Sequence, residues 1–145
     1  MISIYLIKYT DLGQAKDEIL SRYSQVKGER YTIEYLASGE PQLKVGEAVK
    51  GYVSISHTGE LLAMAFSDDK VGIDVERADR EVSSKICDGI EAWTRIEAYA
   101  KWTGKGLSKD VIYGELPEDI IATRSWGEYV ISVCSRNQDK VLWLT

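Results

Sequence analysis

The sequence predicts an α+β fold made of two related halves, about 1–69 and 70–145, packed as a pseudo-dimer within one domain spanning 1–145. Three observations predict it. The order strand, helix, hairpin occurs twice along the chain. The run Gly59-Glu60-Leu61-Leu62-Ala63-Met64-Ala65-Phe66-Ser67 is matched in character by Gly127-Glu128-Tyr129-Val130-Ile131-Ser132-Val133-Cys134-Ser135, at an offset of 68 residues. With 145 residues, 44% of them hydrophobic, the chain has enough apolar surface for a core that needs no disulfide or metal staple.

Each element has a local reason. Ile2 to Tyr9 is apolar but short, carries Lys8 and lacks a charged n-region and a small-residue cleavage site, so it reads as a first strand rather than a signal peptide. Asp11 to Val26 reads as a helix with Asp11 at its N-cap, followed by a strand over Tyr31 to Leu36 and a turn at Ser38-Gly39-Glu40-Pro41. Tyr52 to His57 and Leu61 to Ser67 are apolar segments around Thr58-Gly59-Glu60, the pattern of a tight hairpin. After a turn at Asp68-Asp69-Lys70 the order restarts. A strand is expected over Val71 to Glu76, a helix from about Ser84 to Thr103, a break at Gly104-Lys105-Gly106, and short strands to the end. Matching the offset, the strand at Ile2 falls on the one beginning at Lys70.

Composition removes several function classes. A net charge of -5 is unsuited to broad nucleic-acid binding, which needs a basic face. A single histidine excludes chemistry that requires a His pair or a multi-His metal site, and Cys87 and Cys134 belong to no CxxC or Cys/His cluster. They read as reduced thiols of a cytoplasmic protein. No stretch is long enough to cross a bilayer, so no membrane partner is expected.

Carboxylates and lysines remain. In Val71-Gly72-Ile73-Asp74-Val75-Glu76, strand alternation sends Asp74 and Glu76 to the face opposite Val71, Ile73 and Val75, with Cα atoms roughly 6.6 Å apart, close enough to share a hard cation. The plain alternative is an amphipathic strand with solvated acids. On the second helix, Ile86, Ile90, Trp93, Ile96 and Ala100 form an apolar stripe, and Glu97 falls inside it, about 40° from Trp93. A carboxylate aimed inward needs a proton or a cation. Lys101 lies at the stripe's edge, and a simple Glu97–Lys101 surface pair is the alternative. Tyr99 and Trp102 lie away from the stripe. His57, in Ser54-Ile55-Ser56-His57-Thr58-Gly59-Glu60, ends a strand where hydroxyls and backbone N–H groups can meet an anion, or is simply a satisfied polar residue. Gly104-Lys105-Gly106 lacks P-loop spacing and reads as a helix C-cap.

In order, Ser54 to Glu60, Val71 to Glu76, Trp93-Thr94-Arg95-Ile96-Glu97-Ala98-Tyr99-Ala100-Lys101 and Gly104 to Leu107 resemble the signature of the 4'-phosphopantetheinyl transferase superfamily. The resemblance is to the pseudo-dimeric type that activates peptide and polyketide synthases, and it runs from about Leu36 to Leu107. It implies a 4'-phosphopantetheinyl transferase-like fold that moves the phosphopantetheine arm of coenzyme A onto a serine of an apo acyl or peptidyl carrier protein. Asp74, Glu76 and Glu97 match ligands of Mg2+. Ser56 and His57, with Thr58 beside them, match phosphate contacts, and Lys101 a lysine on the pyrophosphate. Gly39 and Pro41 fall in a segment beside the nucleotide. Glu97 is the implied base, with Lys101 as a second catalytic residue, in a protein that acts as a monomer. The chain departs from the pattern where Ile96 and Glu40 replace lysines, so two phosphate contacts are missing. Lys16, Arg22, Lys27 and Arg30 are N-terminal cations without a clear match. Two other readings stay open: a degenerate homologue that binds coenzyme A or a carrier without turnover, and an α+β interaction protein.

Overall fold

In a computed structural model describing residues 1–145 except the side chain of Asp139, the chain is a mixed α+β protein with three helices and ten strands in three sheets. β1 (Ile2–Lys8) leads to α1 (Leu12–Lys27), whose N-cap Asp11 accepts a hydrogen bond from the Gln14 N–H at 2.9 Å. This is the cap the sequence predicts. β2 (Tyr31–Tyr35), β3 (Pro41–Val45) and β4 (Ala48–Val49) make a small antiparallel sheet. β5 (Tyr52–Thr58) and β6 (Leu61–Ser67) form the expected hairpin, with β1 on the far side of β6. β7 (Gly72–Arg77) leads to α2 (Gly89–Thr103) and α3 (Lys109–Tyr113). β8 (Ile121–Trp126) and β9 (Tyr129–Cys134) are a second hairpin paired with β7, and β10 (Val141–Leu144) returns to lie parallel to β1.

The two hairpins share one geometry. Thr58 pairs with Leu61 and Trp126 with Tyr129 across two-residue turns, and Gly59 and Gly127 take φ of 54° and 58°. The first strand of each unit follows an offset of 69 rather than 68, because Ile2, Ile4 and Leu6 occupy the core positions that Val71, Ile73 and Val75 hold later. A strand slipped by one residue would turn these side chains out of the core. With that register, one apolar cluster draws equally on both segments. Ile2, Ile4, Leu6, Leu61, Ala63 and Ala65 meet Val71, Ile73, Val75, Tyr129, Ile131 and Val133. On the other face of the first sheet, α1 buries Ile19 and Tyr23, the latter stacked on Phe66 at 4.0 Å between ring centres.

The second helix differs from the sequence expectation in start and in rotation. Residues 84–86 form a turn, and α2 begins only at Gly89, whose left-handed φ of 92° keeps the helix from extending back through it. Ile86 is therefore off the helix. Its buried residues are Thr94, Ile96, Ala98 and Ala100, and Glu97 is half-buried rather than central to the stripe. Gly72 explains the rotation. A Cβ there would stand 2.0 Å from the Ala98 carbonyl oxygen, so the α2 backbone rests directly on β7 at Ala98 and the neighbouring Glu97 is turned toward the edge. Tyr99 and Trp102 are half-buried and stacked at 5.9 Å, not exposed, because the segment carrying Leu116, Ile120 and Ile121 packs beside them.

Candidate metal centre and adjoining pocket

β5 and β7 are neighbours from different sheets, and side chains join them. The Ser54 and Ser56 hydroxyls accept the backbone N–H groups of Ile73 and Val75, each at 3.0 Å. The Lys101 ammonium, arriving from α2, donates to the carbonyls of Ile55 and Ile73 at 2.9 and 3.0 Å. This seam fixes β7 beneath α2. Alternation then does what the sequence predicts: with Val71, Ile73 and Val75 in the core, Asp74 and Glu76 face the helix. Because α2 covers that face, the two acids are not solvated but 2% and 6% exposed.

Glu97 completes the set. Asp74, Glu76 and Glu97 each offer an oxygen within 4.8 Å of the others. Ser56 Oγ donates to Asp74 Oδ1 at 3.2 Å, Lys101 Nζ stands 3.7 Å from the same oxygen, and Arg80 is ion-paired with Glu76. Asp74 Oδ2 is buried and has no hydrogen-bond partner among the described residues. Burial, then the neighbouring Glu97 carboxyl, pushes the Asp74 carboxyl up to about 10, against the partial relief of Lys101. Three oxygen donors, one of them an orphaned buried carboxylate oxygen, are the chemistry a hard divalent cation such as Mg2+ satisfies, the remaining positions going to water or phosphate. The residues fit that ion.

A cavity of about 660 Å3 adjoins the cluster, and Glu97 and Lys101 line it. Its walls come from the turn carrying Gly39, Glu40 and Pro41, from β5 through Tyr52 and His57, and from the loop after α2. Cations gather here in a chain whose net charge is -5: Lys16, Lys70, Lys101 and Lys105 all reach the pocket. Glu40 opposes them, its carboxylate packed against Gly104.

Of the residues singled out from sequence, Gly39, Pro41, His57, Glu97 and Lys101 line the pocket, and His57 Nδ1 lies 3.3 Å from the Tyr9 hydroxyl. Ser56 and Thr58 are not among the lining residues. Ser56 is buried in the seam, where it orients Asp74, and Thr58 closes the hairpin opposite Leu61. Of the four N-terminal cations, Lys16 reaches the pocket, whereas Arg22 and Lys27 lie over the rings of Tyr5 and Tyr23. Sequence reasoning missed Lys70 and Arg80, and read Lys105 only as part of a helix C-cap. Lys70 directly precedes the motif strand, which was the available signal. Arg80 gave none, since a four-residue spacing marks a contact only on a helix and here it spans a turn.

No protein-family model matches the chain, and a search of curated proteins returns no match.

Proposed function

We propose that this chain is a magnesium-dependent 4'-phosphopantetheinyl transferase, transferring the phosphopantetheine group of coenzyme A to a serine of an apo carrier protein. The observation that carries the reading is the convergence of Asp74, Glu76 and Glu97 beside a lysine-lined pocket of about 660 Å3, into which Glu97 extends the cluster. The paired hairpins, and a core drawn six residues from each segment, support a transferase-like pseudo-dimer acting as one domain and as a monomer. No helix among the described residues is long and apolar enough to cross a membrane.

Phosphoryl transfer is governed by positioning and charge neutralisation. In this reading Asp74, Glu76 and Glu97 hold Mg2+, which when bound neutralises charge on the pyrophosphate of coenzyme A. Lys70 and Lys105 attract the anionic substrate, and the turn at Gly39 and Pro41 bounds its nucleotide end. Glu97, the one acid shared by cluster and pocket, takes the proton of the carrier serine as its oxygen bonds to the β-phosphorus. The bond from that phosphorus to the bridging oxygen breaks, and 3',5'-ADP leaves. Lys101 keeps the strands carrying the acids in register and offsets charge at Asp74.

A second reading has its own observation. Lys101 already donates to two carbonyls, and Glu40 puts negative charge in the pocket, features that suit a homologue binding coenzyme A or a carrier without turnover. Incubating the protein with coenzyme A, Mg2+ and a panel of apo carriers, then weighing the carriers by mass spectrometry, separates the two. A phosphopantetheine mass gain supports transfer; coenzyme A binding with no gain on any carrier supports the binding protein.

A further inference from the structure

The chain carries its own counter-ion for the carboxylate cluster. After β7 the backbone turns back on itself, with the Arg80 N–H bonded to the Arg77 carbonyl at 3.1 Å. This turn returns the Arg80 guanidinium over the strand it has just left, where it ion-pairs with Glu76. The two partners sit in different surroundings: the Glu76 side chain is 8% exposed and the Arg80 side chain 50%. Glu76 is fixed in place, while Arg80 reaches it from solvent, to which it can return once another cation takes its place at Glu76.

We propose that Arg80 is an exchangeable counter-ion, which holds Glu76 while the cluster has no divalent cation and is displaced when one binds. The inference rests on reading the cluster as a cation site and not on the transferase reaction itself. Two facts support it. Glu76 is one of only three carboxylates in the cluster, so an arginine on its oxygen withholds a ligand that a small cation with few protein ligands needs. Three carboxylates, one divalent cation and the nearby Lys101 ammonium also cancel in charge, which leaves Arg80 with no net anion to neutralise once the cation is in place. Arg80 thereby sets how much cation is required to assemble the site.

Titration of the protein with Mn2+ alone, following free Mn2+ by electron paramagnetic resonance at neutral pH, tests this directly. Arg80→Ala should bind Mn2+ about fivefold more tightly than wild type, the scale expected for removing one partly exposed ion pair. Arg77→Ala is the control, because it removes the same charge from the same turn while its guanidinium serves Asp79 and Glu128. It should leave the affinity close to that of wild type. In a Glu76→Gln background, Arg80→Ala should no longer tighten binding. Unchanged affinity in Arg80→Ala, or equal tightening in Arg77→Ala, overturns the exchange. Absence of Mn2+ binding in both wild type and Arg80→Ala overturns the cation site along with it. Mn2+ binding with the predicted tightening, but no mass gain on any carrier, leaves Arg80 exchange standing and removes only the transferase reading.

Discussion

Lys101 Nζ lies 3.7 Å from Asp74 Oδ1 but gives its two close hydrogen bonds to the carbonyls of Ile55 and Ile73. The ammonium is held by the backbone of two strands, and Asp74 receives its charge at a distance too long for a hydrogen bond. Asp74 is thus buried with incomplete compensation, which has a consequence for pH.

In the unfolded chain Asp74 loses its proton near 3.8, whereas in the folded protein it keeps it to about 10. Between these values the unfolded state binds fewer protons at this site, so its contribution to stability is full below the lower value and is lost as pH rises toward the upper one. In melts without divalent cations, wild type should lose thermal stability from pH 5 to 9 more steeply than Asp74→Asn. At pH 8 the variant should melt several degrees higher, one kcal/mol being worth roughly 4 °C at this size. Parallel pH profiles for the two proteins would remove Asp74 as the buried acid.

Ile96 corrects a sequence-based expectation. Its place in the motif, where a lysine is usual, suggests that Ile96→Lys restores a phosphate contact. The side chain is instead 5% exposed, packed with Ala100 and Val111 against Trp93 and Ile112, and does not line the pocket. Ile96→Lys should therefore lower unfolding stability by about 2 kcal/mol without tightening coenzyme A binding. Chemical denaturation and calorimetry check both halves, and a gain in affinity at unchanged stability would contradict the packing.

Much of the site was legible because it depends on short periods. Alternation alone placed Asp74 and Glu76 on one face of β7, and the cap at Asp11 and the hairpin at Gly59 follow from local chemistry. Rotation of α2 was not legible, since a stripe containing Ile86 requires a helix that Gly89 interrupts. The role of Ser56 was hidden for another reason. A serine on a strand shows neither that the adjacent strand belongs to another sheet nor that its hydroxyl will replace a backbone partner there.

Gly72 is where that rotation is set. Adding a Cβ would bring it within 2.0 Å of the Ala98 oxygen and 2.6 Å of the Trp102 nitrogen, both backbone atoms of α2 that cannot step aside alone. Gly72→Ala should cost about 3 kcal/mol by forcing the helix off β7. Because Glu97 rides on α2 and Asp74 on β7, the same shift should weaken cation binding in whatever fraction stays folded. A variant as stable as wild type, with an unaltered response to Mg2+, would show that the helix does not rest on this glycine.

Glu97 joins the carboxylate cluster to the pocket, so it ties metal binding to substrate binding. A cation that binds only the folded chain stabilises it by RT ln(1 + [L]/Kd), roughly 2.7 kcal/mol at a hundredfold excess over Kd. Melts of wild type at neutral pH should accordingly rise with Mg2+, and rise further with coenzyme A, whose phosphate oxygens would fill positions the three protein carboxylates leave. Glu97→Gln keeps the side-chain shape and removes one donor charge, and should lose most of that shift. Its metal-free form should melt no lower than wild type, because the change removes one of the two carboxylates whose charge holds the Asp74 carboxyl up. The carboxamide cannot accept the serine proton either, so mass gain on a carrier should stop even at saturating Mg2+. If Glu97→Gln retains the full Mg2+ shift, Glu97 is not a ligand. If it retains both the shift and the mass gain, neither the metal nor the base assignment stands, and the proton must leave by a group outside this cluster.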